Sequence, residues 1–212
     1  MQKRKKGIFF LDTPGGTGKT FVIQLLLAKD VAVAVASSGI AATLLFSGTT
    51  AQSTFKLPFD LVRSAVPSCN ITKTSEKGLL LWSCQLIVCD ECTMTHKRSL
   101  EALNTTLQDV RDCPATMGGI TLFLSGDFRQ TLPVIPKGTR ADVVRAYPKS
   151  SPLWKNVTTL SLKTNRRAQL RGDQMASASA SDILSIGNGT VPLNEDGELS
   201  LTHLYTTVSN SD

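Results

Sequence analysis

No apolar run in this sequence is long enough to cross a membrane. The uncharged stretch from 31 to 55 is broken by Ser37-Ser38-Gly39 and by the polar run from Ser47 to Thr54, whereas a span needs about 20 mainly apolar residues. The apolar run near the N-terminus, Ile8 to Leu11, ends at Asp12. A secretory core takes roughly 7–15 such residues, so the expectation is a chain without an export signal. Acidic residues are in deficit: 17 against 23 lysines and arginines, a net charge of +6. That balance suits a polyanion such as nucleotide or nucleic acid, and it equally suits a basic soluble protein with no such partner. The cysteines, Cys69, Cys84, Cys89, Cys92 and Cys113, are odd in number, which argues for free thiols in a reducing compartment. Cys89 and Cys92 have CxxC spacing beside His96, but zinc needs four well-placed ligands, and the residues between them, Asp90 and Glu91, have a separate explanation. Lys3-Arg4-Lys5-Lys6 reads as a nuclear-type signal, a nucleic-acid contact or, more plainly, a frayed solvated terminus.

What is present is an alternation. Continuous apolar runs at Gly7 to Leu11, Val31 to Ala36, Leu86 to Cys89, Ile120 to Ser125 and Thr158 to Leu162 predict strands buried on both faces. Helical patterns at Lys19 to Ala28, Ile40 to Phe46 and His96 to Arg111 lie between them. Strands alternating with helices predict an α/β fold, a parallel sheet flanked by helices on both faces. Length predicts one full domain, 1–156, with 157–212 beginning an incomplete second one that has a partly disordered tail around the low-complexity ASASAS at 176–181. In open parallel sheets ligands bind at the carboxyl ends of strands. The polar clusters fall there: TPGGTGKT, SSGIAA, DE and GDFRQ each follow a predicted strand.

Each cluster has a chemistry. In Pro14-Gly15-Gly16-Thr17-Gly18-Lys19-Thr20, the glycines let backbone N–H groups approach phosphate oxygens, and the helix that follows presents its positive end. Lys19 can reach the β- and γ-phosphates of a nucleotide, and the Thr20 hydroxyl can hold Mg2+. Asp90, at the end of a buried strand, is the second candidate for the metal, and Glu91 the candidate for polarising an attacking water. Gln130, after a stiff turn, fits a γ-phosphate sensor. In Asn165-Arg166-Arg167 an arginine could stabilise charge in the transition state, although spacing alone reads that pair as surface charge.

The segments PGGTGKT, SSGIAATLLFSGTTAQSTFKLP, DECTM, GDFRQTLPVIPKG and LKTNRR occur in an order that resembles Pif-type, RecD-like helicases of superfamily one, most like those of Helitron-type mobile elements. The resemblance covers roughly 7–170. It implies a RecA-like P-loop NTPase domain, an ATP-dependent DNA helicase with Mg2+ as cofactor, and 5′ to 3′ movement on single-stranded DNA or at duplex junctions. It also implies roles in repair, recombination and telomere maintenance. Separately, an intracellular, nuclear location and a monomer are expected. By position the resemblance assigns Lys19, Glu91, Gln130 and Arg167 to catalysis and Thr20 and Asp90 to the metal. It assigns Gly48 to Lys56 to single-stranded DNA, with Thr50, Gln52, Ser53 and Phe55 as contacts, hydroxyls and amides positioning phosphates and the aromatic stacking on a base. Three departures stand out. Thr13 replaces the loop's usual first glycine, Gln52 replaces a usual histidine, and the sequence stops soon after Arg167, where family members continue into a second RecA-like domain. A truncated helicase with weak activity is therefore expected, or alternatively a catalytically silent remnant that binds nucleotide or DNA.

Overall fold

The computed structural model describes residues 6–28, 31–130, 133–135, 138–166 and 174–191. Six parallel strands form one sheet: β1 (Ile8–Asp12), β2 (Ala32–Ala36), β3 (Thr49–Thr50), β4 (Leu86–Asp90), β5 (Thr121–Gly126) and β6 (Val157–Ser161), in the order β3-β2-β4-β5-β1-β6. Successive residues of a strand face opposite sides, and the burial follows that rule. Ile8, Phe10, Val33, Val35, Ile87, Cys89, Leu122 and Leu124 enter one core. Leu11, Ala34, Ala36, Leu86, Val88 and Phe123 enter the other.

Helices cover both faces. On the first lie α3 (Ala51–Phe55), α4 (Glu76–Ser83) and α5 (Lys97–Val110). The periodic apolar positions of α5, Leu100, Leu103, Leu107 and Val110, form its buried stripe. Its start is fixed by His96, whose Nδ1 accepts from the Arg98 backbone N–H at 3.0 Å. On the second face α1 (Lys19–Leu27) contributes Ile23, and α2 (Gly39–Thr43) contributes Ala41 and Ala42. Two further helices follow, α6 (Arg140–Ala146), opened by a Thr139–Asp142 capping box, and α7 (Gln174–Asn188). No helix among the described residues is long and apolar enough to cross a membrane.

Two expectations shift. A boundary between 156 and 157 would cut the sheet, because β6 pairs with β1 from Ile8↔Val157 to Asp12↔Ser161. The ASASAS run lies inside α7, since alternating alanine and serine still permits helix when the flanks supply better formers. Short β3, α4 and α6 fall where the sequence carries no long apolar period.

The register places the carboxyl ends side by side. Asp12 pairs with Gly126, and Ala36 with Asp90. Every loop that leaves this edge therefore begins within a strand spacing or two of its neighbours.

Cys69, Cys84, Cys89 and Cys92 are buried and Cys113 is half-buried, all as free thiols. Burial pushes the Cys69 and Cys84 thiols up to about 11 and Cys89 to about 12, and drives Cys92 upward as well, helped by the neighbouring acids. The thiolate is the reactive form, so an aromatic disulfide reagent at about pH 8 should label Cys113 first and the other four only as fast as the chain unfolds. Rapid native labelling of Cys89 or Cys92 would contradict the inert reading of the CxxC pair.

Candidate functional site

The loop between β1 and α1 curls because two of its glycines take backbone angles closed to other residues. Gly16 has φ 84° and Gly18 φ 95°, and Gly18 is the residue from which α1 starts. Thr17 braces the curl by donating from Oγ1 to the Pro14 carbonyl at 2.8 Å. Thr13, at the position of the usual glycine, is buried, and its N–H donates to the Gly126 carbonyl at 3.3 Å. Its side-chain oxygen has no partner among the described residues. The substitution is thus absorbed beside β5 rather than inside the turn.

Lys19, the first residue of α1, reaches across to the end of β4. Its Nζ lies 2.8 Å from Asp90 Oδ1 and also binds Glu91 Oε1. Desolvation lowers the lysine's pKa, but hydrogen bonds and charge from Asp90 and Glu91 outweigh it and leave the pKa raised. The ammonium therefore stays charged through neutral pH. Asp90 is buried, and its Oδ1 also accepts from Ser125 Oγ at 2.8 Å and from the Glu91 N–H at 2.9 Å. These donors converge on Oδ1. No donor among the described residues takes Oδ2. Glu91 turns out of the strand with φ 51° and ψ 38°, a left-handed conformation that is uncommon for a residue with a Cβ and concentrates at functional sites.

Gln130 follows β5 through a tight turn, its N–H donating to the Asp127 carbonyl at 3.2 Å and its Nε2 to Asp127 Oδ2 at 3.3 Å. The turn is anchored by Phe128, whose ring lies 4.9 Å from both Phe10 and Tyr147 and 5.7 Å from Trp154. Gln130 shares a cleft of about 740 Å³ with Pro14, Gly15 and Thr17, closed on the far side by Lys163, Asn165 and α7. Thr20 is exposed on the first turn of α1. The structure therefore brings Lys19, Asp90 and Glu91 into contact and sets Gln130 beside the loop. Arg167 lies outside the described residues.

The segment expected to touch DNA divides. Thr50 caps α3, its hydroxyl accepting from the Ser53 N–H at 3.2 Å. Gln52 and Ser53 are exposed, and Gln52 Nε2 donates to the Leu57 carbonyl at 2.5 Å. Phe55 is corrected: it is 3% exposed and packed in the core. Ala51 and Phe55, four apart on a short helix, form its buried face, so this ring cannot stack on a base with α3 folded. Phe59, just beyond this segment, is 100% exposed and shares an open groove with Gln52, Ser53, Lys56, Asp60 and Asn70.

Sequence reading missed Asp12, Asp127, Arg129 and Phe128. The signal lay within GDFRQ, but only distance shows that Arg129 pairs with both Asp127 and Asp12. The CxxC pair and His96 do not build a metal centre: no group of three potential ligands occurs among the described residues.

Comparison with known proteins agrees with this geometry. The PIF1-like helicase family matches residues 1–197. ATP-dependent DNA helicase Pif1 of Psychrobacter sp. is 32% identical over 137 residues, covering 61% of this chain and 20% of the relative. ATP-dependent DNA helicase PIF4 of Trypanosoma brucei brucei is 35% identical over 135 residues, covering 58% of this chain and 16% of the relative. The crystal structure of Pif1 helicase from Bacteroides in complex with ADP-AlF3 and ssDNA superposes with a TM-score of 0.74 over 90% of this chain and 44% of that one. At 22% identity that likeness is one of fold. The chain thus spans a fifth or less of those two curated relatives and under half of that structure. With its match to residues 1–197, the chain belongs to the PIF1-like helicase family.

Proposed function

We propose that this chain binds ATP with Mg2+ and supplies the catalytic acids of an ATP-dependent DNA helicase that moves 5′ to 3′ on single-stranded DNA, inside the cell and in the nucleus. The observation that carries the reading is the contact of Lys19 with Asp90 and Glu91. A lysine on a phosphate loop that rests on two carboxylates holds positive charge where phosphates arrive, with no nucleotide needed to assemble the site. Its three N–H donors can pass to β- and γ-phosphate oxygens, leaving the acids for the reaction. Glu91 is then the base that polarises water, Gln130 the γ-phosphate sensor and Arg167 the arginine expected near the transition state.

The donor set fits Mg2+. It is made of hard oxygens, the Thr20 hydroxyl and the carboxylate of Asp90, whose Oδ2 takes no donor among the described residues. Mg2+ is usually bound by one or two such groups together with substrate phosphates rather than by an all-protein cage. When bound it would neutralise charge on the phosphates. Membership of the family supports the helicase part, as do the printed names of the relatives and the ADP-AlF3 and ssDNA of the Bacteroides complex.

Lys19→Ala should weaken ATP binding at least about tenfold, the scale of one lost charge-assisted contact. Glu91→Gln should keep binding while DNA-stimulated hydrolysis falls about 100-fold or more, as for loss of a general base. Hydrolysis by Glu91→Gln at the parent rate would exclude that role. A folded parent chain that binds no nucleotide would favour the silent remnant.

On the DNA side, Thr50, Gln52 and Ser53 remain the proposed phosphate contacts, and Phe59 takes the stacking role expected of Phe55. Phe59→Ala should weaken binding of an oligothymidine by about 5- to 150-fold, as read by fluorescence anisotropy, and Phe59→Tyr should restore it. Phe55→Ala should instead lower stability by about 3–5 kcal/mol. Unchanged DNA affinity in Phe59→Ala would remove the ring from the interface.

A further inference from the structure

Arg129 has a guanidinium shared among three elements. Its Nε donates to Asp127 Oδ1 at 2.6 Å, at the exit of β5. Its Nη2 donates to Asp12 Oδ1 at 2.9 Å, at the end of β1, and its Nη1 lies 3.5 Å from Asn188 Oδ1, at the end of α7. The side chain is 20% exposed. Gly187 packs flat on it: a Cβ there would stand 3.3 Å from Arg129 Cβ and 3.5 Å from its Cγ and Cδ. The same Asp127 carboxylate holds Gln130 through Oδ2. One buried carboxylate thus joins the proposed γ-phosphate sensor to the arginine that seats α7, and α7 supplies Ile183, Leu184 and Ile186 to the wall of the nucleotide cleft.

We propose that Arg129 is a positioning residue that couples γ-phosphate sensing by Gln130 to the docking of helix α7. The inference rests on the nucleotide reading above. When Gln130 Nε2 turns to a γ-phosphate oxygen, Asp127 Oδ2 loses a donor. The carboxylate then depends on Arg129 alone for its side-chain partner, and the guanidinium is held more firmly beneath Gly187 and Asn188. ADP offers Gln130 no such acceptor, so α7 is seated less tightly. Lysine cannot replace the arginine, because a single ammonium lacks the planar fork that serves three separated acceptors.

Amide hydrogen exchange across α7 tests this, with nucleotide occupancy measured on the same samples. In the parent chain, α7 should exchange about fivefold or more slowly with a non-hydrolysable ATP analogue than with ADP, the lower end of usual coupling between sites. In Arg129→Lys the ratio should fall to one while the analogue still binds. Asn188→Ala, an exposed change at the far end of the contact, should do the same and serves if Arg129→Lys does not fold. A ratio of one in the parent chain with both nucleotides bound overturns the coupling and leaves the nucleotide site standing. A ratio that persists in either folded variant also overturns it. Failure of the parent chain to bind either nucleotide overturns the site and the coupling together.

Discussion

Lys19 bridges a gap that the sheet creates. It opens α1, directly after the loop that leaves β1, whereas Asp90 ends β4 and Glu91 follows it, and β5 runs between those two strands. Two adjacent acids at the end of a buried strand repel each other and lose hydration. The ammonium offsets both, and Ser125, from the intervening β5, ties Asp90 to the strand beside it. Everything else about the site follows from the need to bring that loop and those acids to one level. The parallel register aligns the strand ends, the two glycines with positive φ let the loop curl, and the left-handed turn at Glu91 points its side chain back toward the lysine.

Much of this arrangement is legible in the sequence, for a physical reason. Strands buried on both faces must be continuously apolar, so GIFFL, VAVAVA, LIVC and ITLFLS announce themselves, and chain direction alone puts the following polar residues at one edge. The placement of Lys19, Asp90, Glu91 and Gln130 at that edge was readable because each lies in a polar cluster that follows a predicted strand. Asp90 itself proved to be the last residue of β4 rather than the first of the loop, which explains its burial.

Other features were hidden because they depend on which side of a short element faces inward. AQSTF gives one turn and a half of helix, too short for a periodic pattern, so nothing in it marks Phe55 as core, and nothing in the KLPF that follows marks Phe59 as surface. The Arg129 network was hidden because its acceptors, Asp12, Asp127 and Asn188, lie far apart in sequence. The helix at 174–188 was hidden as well: ASASAS carries few apolar anchors, yet it belongs to α7, whose C-terminal half lines the cleft.

The central claim is that the carboxylates now holding Lys19 belong to a magnesium–phosphate site. Calorimetric titration of the chain with ATP, with and without Mg2+, compared between the parent and Asp90→Asn, addresses it directly. The account predicts tighter ATP binding with Mg2+ in the parent and loss of that dependence in Asp90→Asn. Binding that ignores Mg2+ in the parent, or a dependence that survives in Asp90→Asn, would contradict it.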